Sequence, residues 1–145
     1  MDKYGLEINK NTPLISIEIS LLFDNETEME VVTEEIGLVP TSYKNKSEQR
    51  KSPFKDDKLE GYWSIKIENF KSYYLEDLTS LLVRNINPSL EKIKNVTLKY
   101  DAKTYFLIVS NFKPLYTPAL SFDREFLEVV EYLKATIGID MYVGE

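Results

Sequence analysis

An α+β two-layer sandwich is the fold class this sequence predicts, with about four strands in a mostly antiparallel or mixed sheet packed against three or four helices. Three observations predict it. Segments whose apolar residues recur at every second position alternate along the chain with segments whose apolar residues recur at helical spacing. Each helical segment is apolar along one stripe only, so each needs a sheet or a second helix to cover that stripe. The 145 residues are 43% apolar and 12% aromatic, enough to build a core without a disulfide or a structural metal.

Residues 14–23, LISIEISLLF, set Ile15, Ile17, Ile19 and Leu21 on one face and Ser16, Glu18 and Ser20 on the other, a strand with one wet side. Asp24 and Asn25 then offer caps for a helix built on Met29, Val32 and Ile36. Glu26, Glu28 and Glu30 lie where a helix N-terminus favours negative charge. Gly37 and Pro40 stop that helix. Residues 41–60 show neither period and read as one long loop, basic at Lys44, Lys46, Arg50, Lys51, Lys55 and Lys58 against Glu48, Asp56, Asp57 and Glu60. Residues 62–67, YWSIKI, alternate again with Trp63, Ile65 and Ile67 on one side.

Leu75, Leu78 and Leu82 mark a helix that ends before Asn87, because Pro88 cannot continue the hydrogen-bond ladder. Asn87 as cap and Pro88 as first helical residue start another, with Ile93, Val96 and Tyr100 as its stripe. Within it, residues 96–100 fit a strand as well as a helix. Residues 104–112 are apolar on both faces at Phe106, Leu107, Ile108 and Val109, which predicts a central strand. Asp123 caps the last helix, Phe122 staples back on Leu127, the stripe is Phe126, Val130, Leu133 and Ile137, and Gly138 is the stop. Residues 139–143 alternate as a short last strand. With no repeat and no dividing linker, residues 1–145 read as a single α+β domain.

Charge and composition bound the chemistry. Eighteen Lys plus Arg against 24 Asp plus Glu give a net charge of −6, and the chain has no Cys and no His. That removes thiolate chemistry, Ser-His nucleophile pairs and imidazole general bases. Glycines occur singly and form no phosphate-cradling loop. Asp56, Asp57 and Glu60 are oxygen donors but lack the alternation and glycine of a calcium loop, so no metal and no cofactor is expected. The acidic remainder opposes nucleic-acid binding by the basic loop. No basic leader precedes an apolar run, and no run approaches the roughly 20 residues needed to span a bilayer, so no membrane association and a cytoplasmic location are expected.

Four blocks resemble a known family: Ile36-Gly37-Leu38-Val39-Pro40-Thr41, Gly61-Tyr62-Trp63-Ser64, Pro118-Ala119-Leu120-Ser121-Phe122 and Ile139-Asp140-Met141-Tyr142. In order and spacing they resemble the bacterial domain of unknown function 4279, over nearly the whole chain. The resemblance implies a small intracellular bacterial α+β domain without assigned catalytic residues. Residues 41–60 depart from it, because a shorter basic turn is expected there.

Three functional expectations follow. The first is a non-enzymatic protein-binding module, an immunity or antitoxin-like protein that occludes a basic toxin with an acidic, tyrosine-bearing surface. Its contact residues would be Glu28, Glu34, Glu35, Tyr43 and Trp63, steered by the glutamates of the first and last helices. The second is a small-ligand or regulatory domain, with a pocket between sheet and helices lined by Trp63, Tyr105, Asp140 and Tyr142. The third, ranked last, is an enzyme using Asp140, with Asp101 as the other candidate carboxylate.

Overall fold

The computed structural model describes residues 7–49 and 60–144. The middle strand of the sheet is β1 (Leu14–Phe23), whose alternation turns Ile15, Ile17, Ile19, Leu21 and Phe23 to one side, where they are fully buried. It pairs antiparallel with β3 (Gly61–Lys71) and with β4 (Lys103–Phe112). The short β2 (Ser42–Lys44) adds antiparallel to β3, and β5 (Thr136–Val143) adds parallel to β4, so the order is β2-β3-β1-β4-β5. The sheet is mixed, with five strands where the sequence suggested about four; the additional one is β2, inside the segment read as loop.

One register shift interrupts the β1–β3 ladder between Ile15 and Ile17. Asn69 lies there at φ 55, a left-handed conformation that Asn tolerates, so the phase changes and Ile67 and Phe70 both face the core side.

Helices α1 (Met29–Ile36), α3 (Leu75–Ile86), α4 (Leu90–Lys99) and α5 (Arg124–Tyr132) all cover that side. Their buried stripes include Met29, Val32 and Ile36, then Leu75, Leu78 and Leu82, Ile93 and Val96, and Phe126 and Val129. Phe126 meets Phe106 edge-on at 5.2 Å, and Trp63 lies beneath α1 with its Nε1 donating to Thr33 Oγ1 at 3.0 Å. A single turn, α2 (Lys46–Gln49), follows β2.

Several local expectations are corrected. Neither Asp24 nor Asn25 caps α1; its N-cap residue Glu28 gives no side-chain bond, and the Met29 N–H is capped by Asn45 Oδ1 at 2.8 Å. Asn25 instead accepts from Thr27 N–H at 3.0 Å and donates to the Tyr100 carbonyl at 2.8 Å. Asn87 does not N-cap the next helix: it is the C-cap of α3, its N–H donating to the Val83 carbonyl, and a 3-10 turn (Asn87–Ser89) carries the chain on into α4, whose N-cap is Ser89. Residues 96–100, read as helix with a strand as the alternative, are helical: Val96 to Lys99 lie in α4 and Tyr100 is its C-cap.

Phe122 packs on Phe126 at 5.5 Å, and Leu127 is exposed. The last helix ends at Tyr132, with Lys134 at φ 53 making the turn, so Ile137 and Gly138 belong to β5. Other signals held. Gly37 ends α1 at φ 77, Asp123 Oδ1 caps α5 through Phe126 N–H at 2.9 Å, and β4 is an interior strand.

Candidate functional site

Pairing fixes which side chains share a face. With the odd residues of β1 turned to the helices, Ser16, Glu18, Ser20 and Leu22 turn the other way, where no helix packs among the described residues. The ladders then align one residue from each strand. Ser42 lies opposite Ser64, Ser64 opposite Ser20, Ser20 opposite Tyr105, and Tyr105 opposite Thr136. A row of hydroxyl side chains therefore crosses all five strands at right angles to them.

Taller neighbours flank this row. On one side lie Lys44, Tyr62, Leu22 and Lys103, and on the other Lys66, Glu18 and Leu107, the line ending on β5 at Gly138, which has no side chain. The small serines between them leave a groove of about 500 Å³ lined by Glu18, Ser20, Leu22, Ser42, Glu60, Tyr62 and Ser64. Its hydroxyls are loosely engaged. Ser20 Oγ donates to Glu18 at 3.2 Å, Ser64 Oγ donates to the Ser42 carbonyl at 3.3 Å, and the Ser42 and Tyr62 hydroxyls meet at 3.2 Å. Ser20 and Ser64 are buried and Ser42 is exposed, so the hydroxyls that an incoming polar group reaches first are those of Ser42 and Tyr62.

The residues expected to line a pocket between sheet and helices do not come together. Trp63 is on the helix side and fully buried, whereas Tyr105, Asp140 and Tyr142 are on the opposite face. The space between the layers is filled by the core, so no pocket forms there from these four residues. The same burial removes Trp63 from any contact surface. Asp101 and Asp140 do not form a pair either. Asp101 makes the turn before β4 at φ 53, and Asp140 lies opposite Val109, eight residues further along the chain, or roughly 25 Å of extended strand.

The acidic contact residues divide. Glu28 and Glu34 are exposed on α1, and Tyr43 is 46% exposed at the outer edge of the sheet. Glu35 is engaged, accepting from Lys99 Nζ at 2.8 Å and from the Tyr100 hydroxyl at 2.6 Å. The Lys99 bond, then that of Tyr100, holds its carboxyl below the usual carboxylate range. Helix α4 reaches toward both acidic helices. Lys99 pairs with Glu35 of α1, and Lys94 lies 5.9 Å from the Tyr132 ring of α5. Cations therefore interrupt the negative surface that the glutamates of α1 and α5 were expected to share.

Among the described residues no three His, Cys, Asp or Glu side chains gather to hold a metal, and no helix is long and apolar enough to cross a membrane. The Asp56 and Asp57 candidates lie outside the described residues. Reading the sequence missed Ser42, Ser64 and Thr136. The available signal was the wet-face alternation of Ser16, Glu18 and Ser20, which marks the face but not its neighbours.

A family model described as a domain of unknown function (DUF4279) matches residues 15–144. The chain belongs to that family. No curated protein and no solved structure matches it. The four blocks that carried the resemblance fall at distinct places in this DUF4279 domain. Residues 36–41 make the left-handed turn from α1 toward β2, and residues 61–64 begin β3. Residues 118–122 hold a loop to the start of α3 through Ala119, whose carbonyl accepts from Leu75 N–H at 3.0 Å. Residues 139–142 lie in β5. Two of these blocks supply the helix-free face with Tyr62, Ser64, Asp140 and Tyr142.

Proposed function

We propose that this DUF4279 domain is a non-enzymatic protein-binding module that engages its partner with the helix-free face of the sheet. The observation that carries this reading is the composition of that face. Tyr62, Tyr105 and Tyr142 stand among Ser16, Ser20, Ser42, Ser64 and Thr136 on a rigid five-stranded scaffold. Tyrosine supplies broad contact area at low conformational cost and serine supplies adaptable hydrogen bonds, the pairing that protein-recognition surfaces favour. The net charge of −6 directs the choice of partner toward a basic protein, and an immunity or antitoxin-like role in the cytoplasm is the form this takes. Exposed Glu28 and Glu34 then act in steering, and Tyr43, at the outer edge of the sheet, in peripheral contact.

The test is capture of a partner identified by mass spectrometry, repeated with Tyr62→Ala, Glu18→Lys and, as a surface control, Glu34→Lys. The reading expects loss of the partner with the first two, since Glu18→Lys sets a cation on the face against a basic partner, and slower association with the third. Capture that is indifferent to Tyr62→Ala and Glu18→Lys overturns it.

A second reading rests on the groove beside Glu18 and Tyr62. It would hold a small polar ligand by hydrogen bonds from the Ser42 and Tyr62 hydroxyls, replacing the pocket expected between the layers. A thermal-shift screen distinguishes it, since a ligand at 100 times its dissociation constant adds about 2.7 kcal/mol.

A further inference from the structure

Strand β5 ends the sheet, and its outer edge has no neighbour among the described residues. Gly144 N–H donates to the Phe112 carbonyl at 2.8 Å, which fixes the phase of the parallel ladder. Even-numbered residues of β5 turn their backbone groups to β4, and Ile137, Ile139, Met141 and Val143 turn theirs outward. Edge strands are ordinarily blunted by Lys, Pro, bulges or shortness. The opposite edge, β2, fits this description with three residues, Lys44 and a preceding Pro40. The β5 segment TIGIDMYV has eight residues, no Lys, no Pro and no register shift, and Ile139, Met141, Tyr142 and Val143 are 41 to 61% exposed.

We propose that β5 pairs antiparallel with β5 of a second copy of this chain, making one continuous sheet across a two-fold axis. Charge excludes one register. Asp140 is the only charged residue in the strand. An axis through Asp140 would set two carboxylates face to face in the closest pair of the ladder, a destabilising arrangement. An axis through Ile139, whose N–H and C=O already face the edge, pairs Ile139 with its own copy and Ile137 with Met141, an apolar cluster on the helix side. On the other face it sets Asp140 opposite Gly138.

That position is prepared to receive a carboxylate. Gly138 offers no side chain, and the Tyr105 ring lies over it so closely that a β-carbon there would collide with the Tyr105 hydroxyl. That hydroxyl has no partner among the described residues, and the incoming Asp140 carboxylate accepts from it, once in each direction. A strand carrying both the carboxylate and its receiving site two residues apart is complementary to itself, which favours a second copy over a foreign strand.

The experiment is sedimentation velocity over a wide concentration range, with cysteine cross-linking to read the register. The native chain has no Cys, so single Ile139→Cys, Asp140→Cys and Met141→Cys variants each report one symmetric pairing. A hydrogen-bonded antiparallel pair, with Cα atoms about 5.5 Å apart, is within disulfide reach. The expected result is a concentration-dependent dimer, fastest cross-linking at Ile139→Cys, and monomer for Ile139→Lys with an unchanged circular dichroism spectrum. Tyr105→Phe should raise the dimer dissociation constant by about tenfold. A monomer at every concentration, a dimer unaffected by both Ile139→Lys and Tyr105→Phe, or fastest cross-linking at Asp140→Cys or Met141→Cys overturns the proposal. The variants used to test partner binding, Tyr62→Ala on β3 and Glu18→Lys on β1, leave β5 unchanged, so failure of one reading is separable from failure of the other.

Discussion

Thr33→Val is the substitution in which the structure allows the closest reckoning. Trp63 is fully buried, and its indole N–H has Thr33 Oγ1 as acceptor at 3.0 Å. The Thr33 hydroxyl itself donates to the Met29 carbonyl at 3.0 Å. Valine keeps the volume and the β-branch, so packing and helical conformation change little. What is lost is the acceptor, and a buried donor left unsatisfied costs about 1–3 kcal/mol. For a chain of this size that lowers Tm by roughly 3–10 °C.

A double-mutant cycle with Trp63→Phe isolates the bond, because phenylalanine has no N–H to strand. In that background Thr33→Val should cost almost nothing, although Trp63→Phe alone is expensive through the volume it removes. Urea unfolding followed by far-ultraviolet circular dichroism serves all four proteins, since Trp63→Phe removes the only tryptophan. Equal costs of Thr33→Val in both backgrounds, within about 0.3–0.5 kcal/mol, would refute the assignment.

Asp123→Ala removes the acceptor for Phe126 N–H and should destabilise by about 1 kcal/mol in a thermal melt, with Asp123→Asn retaining most of the cap. Gly37→Ala forces a side chain into φ 77 at the end of α1 and should cost roughly 1–2 kcal/mol by the same measurement. Glu35 is held below the ordinary carboxylate range by Lys99 and Tyr100, so its contribution is complete above its unfolded pKa and fades as pH falls through the lower folded value. Lys99 is raised, chiefly by Glu35, so its share is present below the ordinary amine range and is lost as pH rises through the folded value. Stability measured against pH should therefore show a shallower acid limb for Glu35→Gln than for the native chain, and added salt should reduce the difference between them.

The larger elements were legible because each carries its own period. Alternation over ten residues in β1 admits no other reading, and the bounds 14–23 are those observed. Gly37 and Asp123 act through bonds to residues within four positions, so the local sequence contains the whole cause. The errors share a different origin. Asn45 caps α1 from 16 residues away, and β2 exists only because β3 offers it an edge. Ile137 was drawn into the last helix because it falls at a helical interval from Leu133 and also begins the alternation of β5. Lys134 at φ 53 decides between the two readings, and a lysine gives no warning of a left-handed turn.

The helix-free face was less legible than the fold for a reason that its geometry makes explicit. One strand shows which of its side chains are wet, but the row Ser42, Ser64, Ser20, Tyr105 and Thr136 depends on four separate registers. A slip of one residue in any of them transfers that strand's contribution to the core side. The shift beside Asn69 illustrates the sensitivity: alternation extended from Trp63 through Ile67 would put Phe70 on the wet face, whereas it lies with the core. The acidic helices, in contrast, were conspicuous in sequence because glutamates cluster there, yet the lysines that interrupt them arrive from α4 at the far side of a turn. Charge density along a chain thus marked a surface that folding divides, while scattered serines marked one that folding assembles.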